Sequence, residues 1–382
     1  MVKNPLLPAW RREENGGFLA FRFPLYAKMA PDGWALMQRH SGVWVLSMVF
    51  LAGCPCIAAY LQSQASQNIP TFSVSVDLIK VPITVIGENG APVQDLQRND
   101  FHVYEDGKLQ QIRSFNVDAN PVSIILLLDS SGTVEKEWKQ IRESAEGFAD
   151  ALAHGDRISV ITFADDVEKL LDWTSDTSQV RKVLKKVQLG LRTDLYDAML
   201  EAAQDQLKGI DGRMAIILLT DFLNNQSVVG YQDAVRAIIQ SQATLYIISK
   251  TVMVREAARV QPHVVILNDI YSKIFGDANY IDEFFAKKEE QMSDLAEKTG
   301  GRCYFPADYN LINGVYQQVA KELRNQYYLT YISEQNKNSN SYHSITVEYL
   351  QPSKKLIYRR GYYFKPDPIF EPHQPIRTYK KR

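Results

Sequence analysis

The chain has 382 residues, 45% hydrophobic and 23% charged, which suits a globular protein of two or three domains. Its 43 basic and 44 acidic residues nearly cancel to a formal net charge of -1. No basic block precedes the closing "KKR", so composition excludes nucleic acid as a partner. Of three cysteines, Cys54 and Cys56 lie in an apolar stretch and Cys303 stands alone. That implies no disulfide framework, and a CxC pair without further Cys or His nearby is poor material for zinc.

Residues 1–41 form an N-terminal extension of mixed charge. Residues 42–60, "GVWVLSMVFLAGCPCIAAY", carry no charge. A run of roughly 18–20 apolar residues is long enough to span a membrane. It also fits a secretory signal, with Arg39 and His40 as its basic start. Leu51-Ala52-Gly53-Cys54 resembles a bacterial lipobox, which makes Cys54 a candidate for lipidation. Cleavage after Ala65 and an uncleaved anchor are two other fates that fit. Met37 is a candidate start, because the segment from there to Cys54 has ordinary signal proportions. All of these predict export to the cell envelope, periplasmic or extracellular, with membrane attachment by an anchor or a lipid. Residues 61–70 are a polar linker.

Residues 71–119 read as an all-β segment without a helix. Alternation runs through it, and Glu105-Asp106-Gly107 predicts a tight hairpin. From 120 to 325 strands and helices alternate. "VSIILLL", "RISVITF", "MAIILLT" and "TLYIIS" are mostly continuous apolar runs, as expected of parallel strands buried on both faces. "VEKLLDW" predicts an antiparallel edge strand, and "RCYFP" a short last strand. Between them lie amphipathic helices, with stripes at Trp138, Ile141, Ala145, Phe148 and Leu152, at Val180, Val183, Leu184 and Val187, and at Leu311, Val315, Val319 and Leu323. The expected fold class is a doubly wound, mainly parallel α/β sheet. Residues 250–283 break the rhythm and read as an insertion, a lid or a partner surface. Residues 326–364 return to β, and the two β segments are expected to pair into a sandwich around the inserted α/β domain. The tail, 365–382, has four prolines and is expected to be extended.

Asp129, Ser131 and Thr133 follow the first α/β strand, at the strand end where such sheets bind ligands. One carboxylate and two hydroxyls make an oxygen set suited to hard cations. Thr193 precedes a helix and Asp221 ends another buried strand, both expected on the same sheet edge. Each has a bland alternative, as a helix cap or a strand end. Together, in this order and topology, they favour a metal site.

In this arrangement the chain resembles the von Willebrand factor type A (VWA) domain, over roughly residues 121–323. That family has a metal-ion-dependent adhesion site built from D-x-S-x-S, a later Thr and a later Asp. Here these would be Asp129, Ser131 and Thr133, then Thr193 in "TDLYDAM", then Asp221. The flanks resemble the bacterial exported VWFA-related family, which extends the likeness over most of 71–364. The resemblance implies a bound Mg²⁺ (or Mn²⁺ or Ca²⁺), an Asp or Glu carboxylate from a protein partner completing the coordination, and a final helix near 309–324 that shifts in some relatives. Two departures stand out: Thr133 replaces a serine, and Phe222 stands where the family often has glycine.

"LLLDSSGTV" is also similar to the first motif of haloacid-dehalogenase-type phosphatases. There a second aspartate two residues on acts as acid and base; Ser131 cannot do so near neutral pH. No later lysine with paired aspartates stands out in the sequence, and no G-x-S-x-G, H-E-x-x-H or P-loop occurs. The reading is therefore not an enzyme, with a structural VWA domain lacking metal as a further alternative.

Overall fold

A computed structural model describes residues 78–88, 90–132, 137–276, 279–335, 341–351 and 355–363. The export segment with Cys54, the residue Thr133 and the tail 365–382 lie outside the described residues. Among the described residues, no helix is long and apolar enough to cross a membrane.

The chain enters through β1 (Leu78–Ile86), β2 (Phe101–Glu105), β3 (Lys108–Gln110) and β4 (Ser114–Val117). Among the described residues of this β segment, a 3₁₀ turn at Arg98–Asp100 is the one helical feature, where the alternation predicts none. Asp106 and Gly107 both adopt positive φ (47° and 80°), the geometry that a two-residue β2–β3 hairpin requires. The C-terminal strands are β11 (Tyr327–Ile332), β12 (Tyr342–Tyr349), β13 (Lys355–Tyr358) and β14 (Gly361–Tyr363). They interleave with the first four into two antiparallel sheets, ordered β13-β1-β11-β4 and β14-β12-β2-β3. Val81, Ile83, Leu329 and Tyr331 from one sheet meet Phe101, Val103, Ile345 and Val347 from the other in a shared core. This is the sandwich expected from the flanking segments, and neither half can bury its apolar face without the other.

Between the halves lies a six-stranded sheet. It comprises β5 (Val122–Asp129), β6 (Arg157–Phe163), β7 (Val167–Thr174), β8 (Arg213–Thr220), β9 (Thr244–Ser249) and β10 (Cys303–Tyr304), in the order β10-β9-β8-β5-β6-β7. All its pairs are parallel except the β6–β7 edge. The apolar run of β5 is explained by its central place: Ile124, Leu126 and Leu128 face one core, and Ile125 and Leu127 the other. Helices α1 (Trp138–Asp150), α2 (Thr177–Leu184) and α8 (Ile312–Arg324) contribute to the first core. The second takes α3 (Leu195–Glu201), α4 (Tyr231–Ser241) and α7 (Tyr280–Lys298). In α8 the buried stripe is Ile312, Tyr316, Val319 and Leu323, whereas Leu311 is exposed; a 3₁₀ turn at Tyr309–Leu311 shifts the face by one residue.

Arg213 ties the two crossings between the sandwich and the α/β domain. Its guanidinium donates to the carbonyls of Asp118 and Asn120, at 2.9 Å each, and to that of Leu323. The five donors of one planar guanidinium suit this three-way task.

The insertion is helical: α5 (Thr251–Arg259) and α6 (Pro262–Phe275) lead into α7. Val264 of α6 packs on Ile281 and Phe285 of α7. The Tyr271 hydroxyl donates to Glu283, and Asn268 accepts from the Ile281 amide.

Candidate functional site

Parallel strands deliver all their C-terminal ends to one edge, so β5, β8 and β9, which are neighbours, end side by side. Their last residues bring Asp129, Asp221 and Lys250 together. The Lys250 ammonium sits 2.9 Å from Asp129 Oδ2 and 3.8 Å from Asp221 Oδ2. The three side chains are 0%, 0% and 2% exposed for Lys250, Asp129 and Asp221 respectively. Lys250 is anchored from its backbone, its amide donating to the Thr220 carbonyl at 2.8 Å while its own carbonyl receives the Val254 amide.

The remaining carboxylate valences are met locally. Asp129 Oδ1 accepts from the Ser131 amide at 2.9 Å, a side-chain turn that folds the loop back over the strand end. Asp221 Oδ1 does the same for the Leu223 amide at 3.1 Å. Ser131 is 2% exposed and bridges to Gly190 in the neighbouring loop. A Cβ at Gly190 would come within 2.7 Å of Ala164, so only glycine permits that approach.

Thr193 lies three residues after Gly190 in that neighbouring loop and is 6% exposed. Its amide donates to Asn225 Oδ1 at 2.9 Å, and its carbonyl accepts from the Asn225 amide. The loop after Asp221 is thus locked to the loop that carries Thr193. Asp197, in the same "TDLYDAM" stretch, strengthens the lock by accepting from the Val228 and Val229 amides. Burial, opposed by the Ser227 hydroxyl and reinforced by Asp197, pushes the Asp194 carboxyl up to about 6.

Phe222 adopts φ 60°, the left-handed region that favours glycine, which accounts for the family's usual residue at this position. A side chain there costs about 1 kcal/mol. The ring turns away from the strand edge into the core, fully buried, with its edge toward Tyr231. It therefore does not narrow access to the site as its bulk alone suggests.

The sequence reading missed Lys250, taking it as the first residue of an insertion. One signal was available: a lysine only one residue, Ser249, past the apolar run Leu245–Ile248. Burial works against its charge, but Asp129 and then Asp221 outweigh it and raise its pKa. Asp221 is itself raised, chiefly by burial, with Lys250 opposing. The direction that the geometry supports for the trio is a charged ammonium held between two acids.

A divalent ion does not fit these residues as they stand. The ammonium already lies against both carboxylates, and an ion held by the same oxygens would meet a cation at close range in a poorly screened interior. Mg²⁺ also needs near-octahedral room and retained water, and these side chains are closed to solvent. Among the described residues, no group of three or more His, Cys, Asp or Glu side chains could hold a metal.

Among solved structures, the chain is similar to the vWF domain of the type V pili tip protein Mfa5 from Porphyromonas gingivalis, at 19% identity over 30% of this chain and TM-score 0.27. It covers 44% of that chain, less than half its length. An aerotolerance-related membrane protein from Bacteroides fragilis matches at 15% identity over 53% of this chain and 99% of that one, with TM-score 0.36. A von Willebrand factor type A structure from Catenulispora acidiphila matches at 10% identity, over 74% and 73% of the two chains, with TM-score 0.41. Residues 124–224 match the family model of the von Willebrand factor type A domain, a span that includes Asp129, Ser131, Thr193 and Asp221. The match places a von Willebrand factor type A domain within the parallel-sheet part of the chain.

Proposed function

We propose that this chain is an exported, envelope-associated VWA protein that binds a protein partner through the uncovered face of helix α6. The observation that carries this reading is the stripe Ile266, Ile270 and Ile274, which are 61%, 50% and 66% exposed. Spaced four apart, they share one helix face. Leu267 borders that face, whereas the exposed Val265 and Phe275 lie on other sides of the helix. Contiguous exposed apolar surface on a folded protein marks interaction sites. A protein partner fits better than a lipid surface, because α6 carries one lysine and one aspartate and no arginine. Helices that lie on membranes present a polar face rich in Lys and Arg. Export is supported by the uncharged run 42–60 and the lipobox-like Leu51–Cys54.

The test pairs wild type with I266D/I274D in pull-downs from the native envelope fraction. Liposome flotation and sizing with light scattering run alongside. A protein retained by wild type and lost with the variant is the expected result. Equal retention by both, or flotation of wild type that the variant loses, overturns the reading. Retention is expected to survive EDTA, because the candidate metal residues do not fit an ion.

A further inference from the structure

We propose that Lys250 is a built-in cation: its ammonium takes the divalent ion's place between Asp129 and Asp221, so the native chain binds no Mg²⁺ there and carries a latent metal site. Three observations carry this. The ammonium lies 2.9 Å from Asp129 and 3.8 Å from Asp221, the two carboxylates that the adhesion-site pattern assigns to the ion. Lys250, Asp129 and Asp221 all have side-chain exposures of 2% or less, so the ammonium has nowhere else to go. The strand order β9-β8-β5 sets the three at neighbouring strand ends, Asp129 as the last residue of β5 and Asp221 and Lys250 as the first residues past β8 and β9.

The chemistry follows from charge. Two buried carboxylates need a counter-cation, and either a metal ion or an ammonium supplies it. An ammonium brings one positive charge and three N–H donors on a covalent tether, so it is present at every metal concentration. It offers no exchangeable coordination position, so a partner's carboxylate gains no ligand there. The backbone bonds that hold Ser131 to Asp129 and Thr193 to Asn225 do not involve the ammonium, and removing it leaves two buried acids without a counter-cation. Such a pair suits a hard cation.

The experiment uses wild type, K250A, K250S and K250A/D129N, with Mg²⁺ and Mn²⁺ alone as probes. Wild type is expected to show no heat in calorimetry with either ion and no Tm change between EDTA and 10 mM Mg²⁺. K250A and K250S are expected to bind Mn²⁺ and to gain about 2–8 °C in Tm with Mg²⁺. K250A/D129N is expected to lose both effects. Wild-type binding of Mn²⁺ that D129N abolishes overturns the proposal, as does a folded K250A or K250S that takes up no ion. Where the variants do not fold in EDTA, refolding yields with and without Mg²⁺ decide: recovery only with Mg²⁺ supports a latent site, and equal yields overturn it.

Discussion

The α/β domain and the sandwich each bury acid at the heart of their structure, and they satisfy it in different ways. At the end of the parallel sheet, Asp129 and Asp221 share one ammonium. In the sandwich, Glu105 is 0% exposed and has hydroxyl partners instead. Tyr331 donates to it at 3.1 Å and Ser333 at 2.8 Å, and Tyr362 donates as well. Burial first, and the neighbouring Glu105 with it, raises the pKa of both tyrosine hydroxyls, so they remain donors. The difference follows from geometry. Two acids on adjacent strand ends need a positive charge, whereas one acid between two sheets can be reached by three neutral donors, two from β11 and its end and one from β14.

The comparison is broken most severely at Lys250. Replacing it with Ala in metal-free buffer leaves two buried carboxylates without their ammonium and is expected to cost about 3–5 kcal/mol in urea unfolding. K250M/D129N/D221N, which removes all three charges, should recover part of that loss. No recovery would mean that the trio's electrostatics are not what the single substitution disturbs.

The hydroxyl-satisfied acid should be gentler to remove. Glu105→Ala removes the acceptor of the Tyr331 hydroxyl and one acceptor of the Tyr362 hydroxyl and is expected to cost about 2–3 kcal/mol, while Glu105→Gln, which still accepts, should cost about 1 kcal/mol. Equal losses for the two substitutions would show that packing, and not acceptance, sets the role of Glu105.

Glu201 supplies a third case, a half-buried acid whose burial Lys169 offsets only in part. Its Oε2 accepts no hydrogen bond, and burial, with Asp205 adding to it, pushes its pKa up to about 7. A carboxyl raised on folding takes up a proton more readily in the native state. Its contribution to stability is thus full at acid pH and is lost as pH rises through about 7. Glu201→Gln should therefore raise stability by about 1–2 kcal/mol at pH 8 and leave it unchanged near pH 4, read from urea midpoints at the two values. The smallest stability effect belongs to the insertion. I266D/I274D should stay within about 0.5 kcal/mol of wild type while abolishing partner retention, because both side chains face solvent.

Much of this architecture was legible from local pattern. The runs that became β5, β6, β8 and β9, the antiparallel edge β7, and the Asp106-Gly107 hairpin all follow from periodicity and turn chemistry. Asp129, Ser131 and Asp221 were legible as a group because each sits at a strand end. Lys250 was not, since a lysine after a strand reads as a solvated loop residue unless one knows which strands are neighbours. The exposure of Ile266, Ile270 and Ile274 was equally hidden: an apolar stripe in the sequence ordinarily predicts burial.

By itself, the sequence determined the alternation of strands and helices, the β character of the two flanking segments, and the oxygen-bearing residues at the strand ends. Those rest on patterns repeating every two or 3.6 residues, which neighbouring residues encode. Only the tertiary structure decided which charge meets those oxygens. The order β9-β8-β5 set a lysine beside two aspartates distant in sequence, and at buried sites a charge acts through its distance to other charges.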